Sequence, residues 1–404
     1  MKNKKKMNCI TIDGFGGPEK LIFTSTDLPR INSSEILIKV KAAGVNRPDL
    51  LQREGKYNPP KDANPLPGLE VAGEVLKVGS KVNIFKAHDI GYFFYNGGGD
   101  SQDTSNKIAE FTKEAGFPVT CIGIPKTIDN DLPFTDNCPG FGSVAKYIAT
   151  STKEAALDVR SMSHSSTKVF IFEVMGRHAG WIAASSGLAQ SKDNSAPHII
   201  LLPEVPFNEA GFLKRVKEIV KREGFCVIVV SEGTKYKNGK FLADAGSTDS
   251  FGHKQLGGVA PRIAEMINKK LKYKYHWAVS DYLQRSARHI SSQVDLDQAY
   301  AVGKAAVEYA IAGENSIMPV ILRKKTKPYQ WEIGKVELSK VANVEKKIPK
   351  NFISKDGFGI TQSCKNYLRP LIQGEAKTPF EDGVIQTAHL KNKLVKKKLK
   401  SFKI

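Results

Sequence analysis

The segment Pro125-Lys-Thr-Ile-Asp-Asn-Asp131 places a lysine, a threonine and two carboxylates directly after the apolar run VTCIGIP. Lys126 can neutralise a phosphate, and the hydroxyl of Thr127 can donate to an anion. Asp129 can take a proton from a substrate hydroxyl, and Asp131 offers the carboxylate oxygens that Mg²⁺ prefers. Phosphoryl transfer needs such a base, cation and metal ligand. A helix-capping turn explains one or two of these residues, but not the whole set.

Similar polar groups follow other apolar runs. The glycines of NGGGDSQDT let the backbone approach a ligand, although a capping turn is an equal alternative. The guanidinium of Arg177 in EVMGRHAGW can form two parallel hydrogen bonds with a phosphate, or the residue lies on the surface at a helix start. Glu232 in SEGT binds sugar hydroxyls or caps a helix, and Arg285 in YLQRSARH clamps a phosphate or lies on a solvated helix face. No single motif decides between these alternatives.

The elements that must position these groups follow from the hydrophobic pattern. Residues 1–80 alternate between polar and apolar types and are punctuated by Gly and Pro, which predicts a β-rich segment. After residue 85, apolar runs alternate with helical patterns, which predicts an α/β fold with parallel strands covered by helices. Ligands bind such sheets at the carboxyl ends of the strands, where the polar groups stand. Their recurrence after several strands favours a site for a phosphorylated ligand.

Composition limits the other function classes. A chain of 404 residues with 41% hydrophobic and 25% charged residues is typical of a soluble globular protein with two or more domains. No apolar run is long enough for a membrane span, and the five cysteines form no CxxC pair. The net charge of +20 is partly due to basic ends, which we interpret as solvated tails because no nucleic-acid-binding signature accompanies them. We expect a cytoplasmic protein without a nucleic-acid or membrane partner.

The ordered motifs NGGGDSQDT, PKTIDND, EVMGRHAGW, SEGT and YLQRSARHIS resemble the motif set of the phosphofructokinases. The resemblance extends from about residue 82 to about residue 385 and includes the runs ANVEKKIPKNFI and YLRPLIQGE. It implies a parallel-sheet, phosphofructokinase-like α/β body that converts fructose 6-phosphate to fructose 1,6-bisphosphate in glycolysis. It also implies Mg²⁺ as the cofactor and a homo-oligomer.

The resemblance also implies a role for each motif. Asp129 is the base that deprotonates the 1-hydroxyl of the sugar, Thr127 contacts the substrate or the transferred phosphate, and Asp131 lies in the Mg²⁺-binding arm. The residues implied to bind the sugar phosphate are Met175, Gly176, Arg177, Glu232, Tyr282 and Arg285. Lys168 matches a position from which family members reach the sugar phosphate of a neighbouring subunit.

The resemblance implies that the loop with Gly98, Gly99 and Asp100, together with Lys126, binds the phosphoryl donor. Diphosphate-using members of the family carry an aspartate and a lysine at the positions of Asp100 and Lys126. A carboxylate there repels the α-phosphate of ATP, whereas the lysine neutralises diphosphate. Gly99 stands where those members have a further acidic residue, so one possible metal contact is absent. We expect diphosphate rather than ATP as the donor.

The family's amino-terminal GG-x-x-PG-x-N donor loop is not recognisable in the first part of the chain, so we expect weak donor binding and slow turnover. Residues 8–80 instead resemble the start of the quinone oxidoreductases, in ITIDGFGGPEKL, GVNRPDLLQREGKY and PLPGLEVAGEVLKVGS. This predicts a partial GroES-like segment at 1–82, a phosphofructokinase domain at 83–390 and a basic tail at 391–404. The alternatives are an NADPH-dependent quinone oxidoreductase, although no GxGxxG half follows, and a catalytically silent fusion that binds sugar phosphate.

Overall fold

The computed structural model describes residues 6–31, 36–43, 47–57, 66–67, 71–78, 91–114, 119–248, 254–256 and 258–389. The chain divides into two compact units, of which one contains residues 1–90, 248–253 and 391–404 and the other contains residues 91–247 and 254–390. The boundary predicted at residue 82 and the basic tail predicted at 391–404 lie outside the described residues. Both remain predictions.

In the first unit, the described residues form two antiparallel strand pairs, one 3-10 turn (Pro18–Lys20) and one short α-helix. β1 (Lys6–Ile12) pairs with β2 (Leu21–Asp27), and β3 (Ile36–Ala43) pairs with β4 (Val71–Val78). The helix α1 spans Arg47–Arg53 and was not predicted. The strands predicted from the alternating pattern are therefore confirmed in the part of this unit that the structure describes.

The second unit contains two four-stranded sheets. The first has the spatial order β14 (Tyr329–Glu337), β13 (Ile317–Thr326), β6 (Thr120–Pro125) and β5 (Tyr92–Gly97). The second has the order β12 (Tyr275–Val279), β7 (Val169–Val174), β9 (Cys226–Ser231) and β8 (Ile199–Leu201). All neighbouring strands are parallel except β13 and β14. The predicted parallel strands are confirmed. The remaining short pairs are β10 (Asp244–Thr248) with β11 (Lys254–Leu256) and β15 (Phe380–Glu381) with β16 (Val384–Ile385).

Helices follow most of the strands. They are α2 (Gly99–Glu114), α3 (Phe141–Met162), α4 (Trp181–Ser185), α5 (Glu209–Glu223), α6 (Val259–Leu271), α7 (Leu283–Ser286), α8 (Gln293–Ile311), α9 (Leu338–Val341) and α10 (Gln362–Leu368). In α5 the side chain of Asn208 accepts a hydrogen bond from the N–H of Gly211, and Gly224 ends the helix in the left-handed conformation. The helix predicted from HAGWIAASSGL is shorter than expected, because a 3-10 turn over Ser186–Ala189 follows α4.

Two hydrophobic clusters cover the second sheet. One contains Phe212 and Ile263, from α5 and α6, and the other contains Phe141 and Trp181, from α3 and α4. Because helices bury its central strands, polar groups can meet a ligand at the strand ends. No helix among the described residues is both long and apolar enough to cross a membrane.

Candidate active site

The loop after β6 forms a tight, hydrogen-bonded turn. The N–H of Asp129 donates to Oγ1 of Thr127 at 3.1 Å. Asn130 has a φ of 55°, in the left-handed region that Asn tolerates better than most residues. Its side chain accepts a hydrogen bond from the N–H of Cys138 at 3.0 Å and donates to the hydroxyl of Tyr367 at 3.0 Å. These contacts fix the turn that separates the two carboxylates of the motif.

Asp129 lies in a mixed electrostatic environment. Burial raises the pKa of its carboxyl, and the nearby carboxylate of Glu232 raises it further. His178, a hydrogen bond with Thr127, and Arg285 lower the same pKa. These groups come from loops of both sheets, so the fold brings them together around Asp129. A carboxylate whose pKa is raised is a stronger base, which suits it to act as a general base.

Asp131 has a carboxylate oxygen that can bind a cation. Burial raises its pKa to about 6, and the carboxylate of Asp129 adds to the increase. Its Oδ1 is buried and makes no hydrogen bond within the described part of the chain. The described residues contain no cluster of three or more His, Cys, Asp or Glu side chains suited to a metal. Mg²⁺ needs no such cluster, because one or two carboxylates, waters and substrate phosphates hold it. Asp131 therefore fits the role of a Mg²⁺ ligand.

The loops after β7 and β9 are joined at Gly176. The φ of Gly176 is +128°, and a Cβ there would lie 2.6 Å from the carbonyl oxygen of Ala179, so only glycine fits. Its N–H donates to Oε1 of Glu232 at 3.4 Å, and its carbonyl accepts from Oγ of Ser231 at 2.5 Å. Burial raises the pKa of Glu232, whereas Arg177 lowers it. The structure therefore brings the predicted residues of the MGR and SEGT motifs together.

The loop after β12 completes this side of the site. The N–H of Met175 donates to Oε1 of the buried Gln284 at 3.3 Å, which ties α7 to the loop after β7. The guanidinium of Arg285 lies 4.9 Å from the centroid of the Tyr282 ring, and both side chains are exposed. An exposed arginine stacked on an aromatic ring can receive an anionic ligand. Gln284 was not predicted as part of the site.

The glycine loop after β5 lies beside the turn after β6. The N–H of Lys126 donates to the carbonyl of Gly97 at 3.2 Å. A Cβ at Gly98 would lie 3.7 Å from Cβ of Thr127. The side chains of Lys126 and Asp100 are exposed. The predicted donor residues thus adjoin the catalytic turn, and their charged groups face solvent.

Gln102 ties the ends of β5 and β6 together. Its Nε2 donates to the carbonyl of Gly97 at 2.8 Å and to that of Ile124 at 3.2 Å, and the residue is fully buried. Gln102 was not predicted as a site residue, because a glutamine in the first turn of a helix is ordinary. Its role depends on a register between two strands that only the structure reveals.

Lys168 stands apart from the other predicted residues. It precedes β7, and its Nζ donates to the carbonyl oxygen of Ser163. Met175 and Arg177 follow β7, and a strand of six residues spans about 20 Å. Lys168 is therefore not part of the site formed within this chain. Its predicted contact was to a neighbouring subunit, and that contact remains a prediction.

The comparisons with known proteins identify the family that these motifs indicated. The family model described as phosphofructokinase matches residues 68–310. The pyrophosphate--fructose 6-phosphate 1-phosphotransferase of Halomonas elongata is 58% identical over 323 residues, covering 80% of this chain and 77% of the relative. The protein of the same name from Rhodospirillum rubrum is 37% identical over 314 residues, covering 76% and 75%. The crystal structure of a pyrophosphate-dependent phosphofructokinase from Marinobacter aquaeolei matches with a TM-score of 0.71 and 58% identity, covering 80% of this chain and 79% of that one.

These comparisons do not support the expectations drawn from the amino-terminal segment. The similar proteins described above are all phosphotransferases of one kind, and none supports a quinone oxidoreductase. The short motifs that suggested the GroES-like segment are β-strand patterns, which many unrelated sheets share. The described strands β1–β4 confirm the strand pattern and carry no further functional assignment.

Proposed function

The chain belongs to the phosphofructokinase family, and on this premise we propose that it transfers a phosphoryl group from diphosphate to fructose 6-phosphate. The proposal rests on the charged groups that surround Asp129. Burial raises the pKa of Asp129, and the carboxylate of Glu232, the hydroxyl-binding candidate, raises it further. Burial also raises the pKa of Asp131, the metal-ligand candidate, and Asp129 in turn adds to this increase. Groups from both sheets therefore act on Asp129. The names of the similar proteins from Halomonas elongata and Rhodospirillum rubrum support this reaction.

In the proposed reaction, the 1-hydroxyl oxygen of fructose 6-phosphate attacks one phosphorus atom of diphosphate. A bond forms between that oxygen and phosphorus, and the bond from this phosphorus to the bridging oxygen breaks. The products are fructose 1,6-bisphosphate and orthophosphate. The hydroxyl proton passes to the carboxylate of Asp129, which later releases it to solvent. A raised pKa strengthens Asp129 as a base.

Asp131 would hold the Mg²⁺ ion through the carboxylate oxygen that lacks a partner among the described residues. When bound, Mg²⁺ neutralises the charge of diphosphate and of the departing orthophosphate. The turn from Asp129 to Asp131 keeps the proposed base beside the proposed Mg²⁺ site. Thr127 accepts the N–H of Asp129 and so maintains the turn that carries both groups.

The acceptor is held by the loops after β7, β9 and β12. Arg177 and Arg285 provide guanidinium groups for the 6-phosphate, since such forks match phosphate oxygens. Glu232 accepts hydrogen bonds from sugar hydroxyls, and Tyr282 lies against Arg285. Met175 and Gly176 provide the backbone that lets the sugar approach. Their hydrogen bonds support a site that is already assembled before the ligand arrives.

The donor is diphosphate rather than ATP. Lys126 is exposed next to the glycine loop, where its ammonium can pair with a diphosphate oxygen. Asp100, exposed at the start of α2, adds a negative charge that disfavours a longer polyphosphate chain. Gly98 and Gly99 supply backbone without side chains at this position. We further propose a cytoplasmic homo-oligomer, in which Lys168 serves the site of a neighbouring subunit.

A coupled assay tests this proposal. Purified protein with Mg²⁺ and fructose 6-phosphate is offered diphosphate or ATP in separate reactions, and fructose 1,6-bisphosphate is measured. We expect product with diphosphate, and less than about a tenth of that rate with ATP, a difference of about 1.4 kcal/mol in activation free energy. The Asp129→Asn variant controls for contaminating activity. Absence of product with both donors, or a preference for ATP, would contradict the proposal.

A further inference from the structure

Residues 343–348, which follow α9, contact loops on different sides of the site. Nδ2 of Asn343 donates to Oδ1 of Asp103 on α2, at 3.1 Å. Oε1 of Glu345 lies 2.5 Å from Nδ1 of His178, in the loop that follows β7. The segment belongs to the ANVEKKIPKNFI run, to which the sequence assigned no role. It connects the donor side, the catalytic turn and the acceptor side.

Lys346 is the central residue of this segment. Its Nζ donates to the carbonyls of Thr135 and Asp136, each at 3.0 Å, and to Oδ1 of Asn130 at 3.3 Å. Its backbone N–H donates to the carbonyl of Asp131 at 2.6 Å. A single residue thus holds both ends of the loop that begins with the catalytic turn.

The surroundings of Lys346 favour a fixed side chain. The Trp181 ring lies beneath the ammonium, with Nζ 5.5 Å from the ring centroid. Nε1 of Trp181 donates to the backbone carbonyl of Lys346 at 2.9 Å. Burial lowers the pKa of Lys346, while the nearby Asp136 and Asp131 act in the opposite direction. An ammonium withdrawn from water and bound by three acceptors has little freedom to move.

We propose that Lys346 is a positioning residue that holds Asp129 and Asp131 in their reactive arrangement through Asn130. Asn130 stands between the two carboxylates in a left-handed conformation, which is unfavourable unless its surroundings fix it. Lys346 binds its side-chain oxygen and anchors the carbonyl of Asp131. The proposal rests on the proposed function, because it assigns Lys346 to the same reaction without contact with substrate.

The far side of the loop is held independently of Lys346. Arg323 forms an ion pair with Asp136 at 2.9 Å and also donates to the carbonyl of Tyr367 at 3.0 Å. The N–H of Asp136 donates to the carbonyl of Ile321 at 2.8 Å. Loss of Lys346 is therefore expected to loosen the Asn130 turn while the rest of the loop stays attached to β13.

Lys346→Met tests the proposal, because it retains the length of the side chain and removes the ammonium. We expect kcat to fall about 10²-fold, as for other small displacements of catalytic groups, while KM for fructose 6-phosphate stays within about twofold. Lys346→Arg, which retains the charge, should recover part of the lost kcat. The control is Lys347→Met, at the neighbouring exposed lysine, with kinetics like the parent.

A kcat of Lys346→Met within twofold of the parent would overturn the proposal. An equal loss of fructose 6-phosphate affinity would also overturn it, because it would indicate general disruption of the site. If Lys346→Met does not fold, Lys346→Gln, which keeps N–H donors without the charge, is measured in its place against the same outcomes.

Amide hydrogen exchange separates this proposal from the proposed function. If the parent protein shows no turnover, the proposed function fails, and exchange across residues 129–131 decides the role of Lys346. We expect exchange there to be about tenfold faster in Lys346→Met than in the parent, with unchanged exchange in β9. Unchanged exchange in both regions would overturn the positioning role.

Discussion

The proposed acceptor side and the proposed donor side of the site are built differently. On the acceptor side, hydrogen bonds from Gly176 to Glu232 and from Met175 to Gln284 join loops that follow neighbouring strands. On the donor side, the glycine loop follows β5, and the charged groups of Asp100 and Lys126 are exposed. The acceptor loops after β7 and β9 therefore need little rearrangement to receive a ligand, whereas the exposed charged groups, Asp100 and Lys126 on the donor side and Arg285 on the acceptor side, must be ordered by it.

The position of the strands accounts for part of this difference, although the acceptor loop with Arg285 also follows an edge strand, β12, and Lys126 follows an internal strand, β6. β7 and β9 are central in their sheet, and the residues of β9 are all buried. β5 is at the edge of its sheet within the described residues, and 54% of the surface of Tyr92 is exposed. A loop after a central strand is surrounded by other loops that can bind it, and a loop after an edge strand has fewer neighbours. Binding is stronger where the groups are ordered in advance.

Asp129→Asn is expected to have the largest effect, because it removes the base while leaving both sides of the site in place. Removal of a general base costs about 10²–10⁴-fold in rate, so kcat should fall by this factor. Calorimetry should show fructose 6-phosphate affinity within about twofold of the parent, since the residue does not hold the 6-phosphate. Asp193→Asn, at an exposed carboxylate, is the control. A kcat within twofold of the parent would refute the assignment of the base.

Arg285→Ala tests the acceptor side. Loss of a charge-assisted hydrogen bond costs about 1.5–3 kcal/mol, so the dissociation constant of fructose 6-phosphate should rise about 10–100-fold. The affinity for diphosphate should not change. Arg288→Ala, at an exposed arginine beyond α7, provides the matched control. An equal effect of both variants, measured by calorimetry, would argue against a specific phosphate contact.

Lys126→Met tests the donor side and should have a smaller effect, because an exposed ammonium pairs with phosphate as a point charge, without the two parallel hydrogen bonds that a guanidinium can form. We expect KM for diphosphate to rise about tenfold at most, with KM for fructose 6-phosphate unchanged. Lys113→Met, at an exposed lysine in the last turn of α2, is the control. A rise in KM for fructose 6-phosphate instead would place Lys126 on the acceptor side.

Asp131→Asn is expected to stabilise the metal-free protein. The folded-state pKa of Asp131 is raised from 3.8 to about 6, so ionisation of this group opposes folding. Stability then falls as the pH rises from about 4 to about 6, and the asparagine variant avoids this loss. We expect its free energy of unfolding at pH 7 to be about 1–3 kcal/mol higher, with no difference below pH 4. Urea unfolding without Mg²⁺ measures this, with Asp158→Asn as the control, and a less stable Asp131→Asn would reverse our interpretation.

Much of the fold could be predicted from the sequence, because buried parallel strands leave continuous apolar runs. The runs VFIFEV and CVIVVS became β7 and β9, and the polar residues after them meet at one end of the sheet. The spacing in PKTIDND also singled out Asp129 and Asp131, whose burial the structure then provides.

The features of the site that could not be predicted depend on contacts between segments that are distant in the sequence. Gln102 joins the ends of β5 and β6, so its role depends on the register of these two strands. Lys346 binds Asn130, which lies more than two hundred positions away in the sequence. Periodicity and local motifs carry no signal of such pairs. For the amino-terminal segment, the comparisons do not support the quinone oxidoreductase resemblance, and the described residues confirm only the strands.

Separate titrations of the two substrates test the contrast between the two sides most directly. In calorimetry with Mg²⁺ present, fructose 6-phosphate alone should bind with a dissociation constant in the range of about 1 μM to 1 mM that is usual for enzyme substrates. Diphosphate alone should bind at least about tenfold more weakly, because its exposed groups must be ordered on binding. Diphosphate binding that equals or exceeds that of fructose 6-phosphate would contradict the contrast between a preformed acceptor side and an open donor side.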